Sequence, residues 1–132
     1  MKIMKFGGTS VGRPERMHQV KDLITRGDES KIVVLSALSG TTNSLVSIGE
    51  ALASADKVLA KSRIDELQAH YHDFYPQLLK SEEGRAKAEE IIKEHFEFLN
   101  ILLKISFNEA INRDILAQGE LLSTKLFHTL LE

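Results

Sequence analysis

The sequence predicts an α/β protein with a short parallel sheet, and three observations carry that reading. Two apolar runs, one around Ile3, Met4 and Phe6 and one at Ile32-Val33-Val34-Leu35, are separated by a stretch of helical spacing, which makes one β-α-β unit. The second run is continuously apolar and largely β-branched, as expected of a parallel strand covered on both faces. Beyond it, apolar residues recur at helical intervals almost to the last residue.

The elements follow in order. The first strand, carrying Lys5, breaks into Gly7-Gly8-Thr9-Ser10, where two glycines free the backbone to turn. Pro14 then suits a helix start, and Arg13 to Arg26 carries the spacing of a helix that buries Met17, Val20, Leu23 and Ile24, with Gly27 placed to cap it. The small-residue stretch Ser36 to Asn43 reads as a loop after the second strand. It leads into a helix marked by Leu45, Val46, Ile48, Leu52 and Ala55, with Thr42 or Asn43 as its cap. From about residue 56 to 108 the texture is charged and helix-favouring. Ile64, Leu67, Tyr71, Phe74 and Leu78 mark one helix, interrupted near Pro76, and Ala88 through Leu103 mark a longer one after Ser81, together a helical hairpin. A last helix is expected to begin around Gly119-Glu120 and to run through Leu130.

Composition narrows the function classes. At 132 residues, 42% hydrophobic and 27% charged, the chain can build one packed domain. A formal net charge of -2 and an isoelectric point near 6.2 give no electrostatic reason to expect nucleic acid or an anionic membrane as partner, so a small charged metabolite is the expected one. There is no cysteine, hence no disulfide and no thiolate metal ligand, and the opening residues reach Gly7 too soon for a signal-peptide core. The cytoplasm is the expected compartment. Of the five histidines, His70 and His72 face different directions on a helix, and His18, His95 and His128 are scattered, so no protein-bound metal site is expected.

The first strand, the glycines and the following helix start make an anion cradle. Lys5 at the end of a buried strand would cost several kcal/mol unless an anion such as phosphate met it, although an exposed strand end would also accommodate it. A Walker loop is absent, because the lysine precedes the glycines, and so is the G-x-G-x-x-G dinucleotide fingerprint.

Three blocks carry a family resemblance. Lys5-Phe6-Gly7-Gly8-Thr9-Ser10-Val11 is similar to the opening motif of aspartokinases. Val34-Leu35-Ser36-Ala37 with Gly40, Thr42 and Asn43 resembles their next block, and Gly119-Glu120-Leu121-Leu122-Ser123-Thr124 resembles their glycine-glutamate helix start. The resemblance implies an amino-acid kinase-like (carbamate kinase-like) αβα sandwich, here an incomplete, helix-rich amino-terminal portion. It also implies transfer of the γ-phosphoryl of ATP, as its Mg complex, to the side-chain carboxylate of L-aspartate, the first step of lysine, threonine and methionine biosynthesis. By the same resemblance Lys5 neutralises the transferring phosphoryl, Gly7, Gly8 and Ser36 lie near the phosphates, and Thr42 and Glu120 hold aspartate. Thr9 and Ser10 are weaker candidates, since their hydroxyls can simply close the turn. Plain readings stand beside these: Ser36 and Thr42 are common capping choices, and Glu120 in a first helical turn would be stabilised by the helix dipole.

The chain is expected to be part of something larger. Two strands leave sheet edges unpaired, and the last helix stops without a capping residue. The resemblance implies that a nucleotide-binding half and regulatory domains lie outside residues 1–132, that the parent enzyme is a homo-oligomer, and that these residues alone have little kinase activity. An amino-acid kinase with another acceptor, such as glutamate or a nucleotide monophosphate, and a non-catalytic binding module remain open as alternatives.

Overall fold

Alternation along the two strands sorts their side chains onto two faces with different surroundings. In the computed structural model, which describes residues 1–7, 12–27 and 29–132, β1 (Lys2–Phe6) and β2 (Lys31–Leu35) pair in parallel with Met4 opposite Val33, Lys5 opposite Val34 and Phe6 opposite Leu35. One face carries Phe6, Val33 and Leu35 into the core. The other leaves Ile3 74%, Ile32 46% and Val34 44% exposed. Cover on both faces, expected from the apolar run of β2, is therefore corrected to cover on one.

Helix α1 (Pro14–Ile24) has proline in its first turn and buries Met17 and Val20. Gly27 takes a left-handed φ of +79°, but the residue ending the helix is Thr25, whose N–H returns to the Lys21 carbonyl. Lys31, just inside β2, donates to the Ile24 and Arg26 carbonyls at 2.5 and 2.6 Å and so satisfies that helix end. On the opposite side, His18 Nε2 meets the Leu78 carbonyl at 3.0 Å, and Lys21 donates to the Leu130 carbonyl at 3.2 Å.

Helix α2 (Thr41–Ala53) is entered through Gly40 at φ +84°, with no side-chain cap. The expected cap, Thr42 or Asn43, is corrected: the left-handed glycine makes the turn, Thr41 is already helical, and Thr42 and Asn43 fall inside the first turn. Helix α3 (Lys57–Leu78) is capped by Asp56 and contains Pro76, so the expected interruption there is also corrected. The proline sits in the last turn, where Arg85 donates to the Leu79 and Pro76 carbonyls at 2.7 and 2.8 Å. Helix α4 (Glu82–Ile101) follows with Ser81 as cap and two glutamates in its first turn, and a 3-10 turn (Leu102–Lys104) ends it.

Helix α5 runs Glu109–Leu131, because the Asn108 side chain accepts the Ile111 N–H at 2.9 Å and caps it well upstream of Gly119. Its expected start at Gly119-Glu120 is corrected accordingly. Glu120 is a mid-helix residue, and a helix dipole does not explain it. Helices α2 to α5 pack on one another around a core in which Leu45, Ile64, Tyr71, Phe96, Leu99, Ile115 and Leu122 are at most 1% exposed. Among the described residues no helix is long and apolar enough to cross a membrane.

Candidate functional site

The described residues of the three sequence blocks lie near the carboxyl ends of the strands. The contact that joins two of them is a close approach of α5 to the loop after β2. A Cβ built on Gly119 would stand 2.7 Å from the Ala37 Cβ, 3.2 Å from Leu45 Cδ1 and 3.3 Å from Thr41 Cγ2. Only glycine lets the helix sit this close. The first block joins through the sheet: Ser36 N–H donates to the Phe6 carbonyl at 3.1 Å, which fixes the start of the loop beside the end of β1.

Seating α5 in this way sets Glu120 into a cleft of about 300 Å³, formed by Val33 to Leu35 of β2 and by Ala117, Glu120, Leu121 and Thr124 of α5. Such a volume suits a small metabolite. Lys5 is exposed and in register with Val34, on the uncovered face of the sheet. It thus stands one strand spacing, about 4.8 Å at the backbone, from a wall of the cleft. No burial penalty acts on its ammonium, so the expectation of a desolvated Lys5 is corrected. A cation on an exposed face is free to meet an anion without first being stripped of water.

The remaining candidates divide. Ser36 adjoins β2, and its Oγ is buried without a hydrogen-bond partner among the described residues. Thr42 is exposed in the first turn of α2, while its neighbour Thr41 is buried and shares a hydrogen bond with Tyr71 Oη at 3.2 Å. Burial pushes the Tyr71 hydroxyl up to about 12, so it stays protonated and serves as a fixed support for that turn. Among the described residues nothing stands where a Cβ on Gly7 would lie, and no positive φ demands glycine there. Gly8, Thr9 and Ser10 lie outside the described residues. Also among the described residues, no three His, Asp or Glu side chains are clustered as a metal site would require.

One residue set aside in the sequence as a scattered histidine belongs to a buried group. His95, on α4, is 6% exposed and lies between Gln118 Oε1 at 2.5 Å and Lys125 Nζ at 2.9 Å, both on α5. Its partners are 23 and 30 residues away, so helical spacing around the histidine carries no sign of them.

No protein-family model matches the chain. Among curated proteins it is 38% identical, over 132 aligned residues, to the chloroplastic aspartokinase 2 of Arabidopsis thaliana, covering 95% of this chain and 23% of that protein. It is 29% identical to lysine-sensitive aspartokinase 3 of Escherichia coli K12, covering 95% of this chain and 27% of that one. Its fold matches E. coli aspartokinase III solved with aspartate and ADP, at a TM-score of 0.77 and 26% identity over 99% of this chain. The same enzyme solved with lysine and aspartate matches at a TM-score of 0.78. The chain spans 28% of the length of each of those two solved chains.

Proposed function

Sequence and fold make this chain a homologous region of the aspartokinase family, and from that premise we propose that it forms the aspartate-facing part of a kinase that phosphorylates the side-chain carboxylate of L-aspartate with MgATP. The observation that carries the reading is the Gly119 contact. It seats the helix that carries Glu120 against the loop of the second block, and the Ser36 to Phe6 hydrogen bond ties that loop to the strand that carries Lys5, which supports reading the three blocks as one site.

In this reading Glu120 binds the substrate ammonium and Thr42 hydrogen-bonds the substrate from the rim of α2. Lys5 meets the transferring phosphoryl, with Gly7, Gly8 and Ser36 beside the phosphates. Among the described residues, the Ser36 hydroxyl has no partner and nothing crowds Gly7, which supports such contacts. Magnesium arrives with the nucleotide. The acceptor carboxylate has a reference pKa of about 3.9, so it is ionised at neutral pH and no general base is needed. The chemical task is to bring two anions together, and neutralisation by Lys5 with alignment by Glu120 is what these residues offer it.

Aspartate is favoured over other acceptors because the structural neighbours named above hold aspartate. Calorimetric titration of the chain with L-aspartate and, separately, L-glutamate tests the assignment. Binding of aspartate that is lost in Glu120→Gln is the expected result. Binding indifferent to Glu120, or a preference for glutamate, would overturn it. In the complete enzyme, Lys5→Ala should lower turnover and Glu120→Ala should chiefly raise the KM for aspartate.

A further inference from the structure

Donor and acceptor roles leave a single arrangement for the buried group between α4 and α5. The Lys125 ammonium can only donate, so His95 Nε2 accepts from it and the ring proton sits on Nδ1. Nδ1–H then donates to Gln118 Oε1, and Gln118 Nε2 donates onward to the Asp114 carbonyl at 2.9 Å. The chain from Lys125 through His95 and Gln118 to Asp114 closes only with a neutral imidazole. Gln118 directly precedes Gly119, whose seat against Ala37 has no slack.

We infer that His95 is a positioning residue: acting through Gln118, and only as the neutral ring, it holds α5 so that Gly119 stays against Ala37 and Glu120 stays in the cleft. The inference rests on the reading of Glu120 as the substrate-ammonium ligand. A proton added to Nε2 would set an N–H and a positive charge against the Lys125 ammonium at 2.9 Å, and one of the two must move. The charged groups that bear on the ring are Lys125 from α5 and Glu94 from α4 itself. From α3 the titratable neighbour is Tyr71, which packs on the adjacent Phe96 with ring centroids 5.9 Å apart and stays neutral.

Burial, reinforced by Lys125 and partly offset by the Gln118 hydrogen bond, holds the His95 imidazolium below the ordinary histidine range. A histidine depressed in the folded state gives stability that is intact above about pH 6.5, the unfolded value, and is lost as pH falls through it toward the folded value. The device therefore weakens on acidification. The side-chain carboxyl of aspartate, at about 3.9, does not titrate in that window.

Amide and imidazole NMR of the chain between pH 8 and 5.5, with parallel aspartate titrations, tests this. The Gly119 and Glu120 amide resonances should follow the His95 ring midpoint. Aspartate affinity should fall in the wild type as pH drops through that midpoint and stay flat in His95→Gln, whose amide can accept from Lys125 and donate to Gln118 without titrating. Lys125→Met, on the surface, should raise the His95 midpoint. Gly119 and Glu120 amides that ignore the His95 titration, or a midpoint unmoved by Lys125→Met, would overturn the inference. Amides that track His95 with no aspartate binding at any pH would instead refute the role of Glu120 and leave the coupling intact.

Discussion

The helical body and the two-stranded sheet differ in how far each buries the apolar side chains that its sequence supplies. In the body, Tyr71, Phe96, Leu99, Ile115 and Leu122 from three helices are at most 1% exposed. In the sheet, a strand as apolar as Ile32 to Leu35 buries one face and leaves the other open. The body is held by packing, whereas the sheet is held by backbone pairing and by the single face that it shares with the helices. Chemistry is proposed where the two regions join, at Gly119, because that joint combines a rigid helix with an accessible strand end.

The comparison breaks or sharpens under three substitutions followed by urea denaturation. Phe96→Ala, inside the body, should cost about 3 to 5 kcal/mol, since it opens a cavity beside Tyr71. A loss below 1 kcal/mol would mean that the body is not the packed unit described. Gly119→Ala, at the joint, sets a helix-propensity gain of about 1 kcal/mol against an overpacking cost of about 1 to 3 kcal/mol. Net destabilisation with weakened aspartate binding is expected, because the Ala37 Cβ at 2.7 Å cannot move without its backbone. A stabilised variant would show that the close approach is unimportant. Ile32→Thr, on the open face, should shift stability by no more than about 0.5 kcal/mol. A loss above about 1 kcal/mol would show that something covers that face in solution.

Much of the fold was legible in the sequence, because both strands, the crossover helix and the paired helices of residues 56–108 declare themselves through side-chain period. The start of α5 was misplaced by fixing attention on Gly119-Glu120. Asn108 followed by Glu109, with Ile111, Ile115 and Leu122 spaced along one face, carried the correct signal. Pro76 reads as a break, yet α3 runs two residues past it, and Arg85, nine residues further on, satisfies the Pro76 carbonyl that the helix end leaves free. The open face of the sheet could not be read from β2, since the run shows what a strand can bury and not what is present to cover it.

The candidate site was legible as three motif blocks, but the reason for its glycine was not. Gly119 looks like punctuation in the sequence and proves to be a contact, since its nearest neighbours belong to the loop after β2 and the start of α2, about 80 residues earlier. His95 was dismissed for the same cause: hydrogen-bonding partners on another helix have no local trace.

His18 and Lys21 lie three apart on α1 and grip the Leu78 and Leu130 carbonyls, at the ends of two different helices. A strut pinned at one point can swivel, whereas one pinned at two cannot. The pitch of α1 is thereby set by the far ends of α3 and α5, which follow it by more than fifty residues in the sequence.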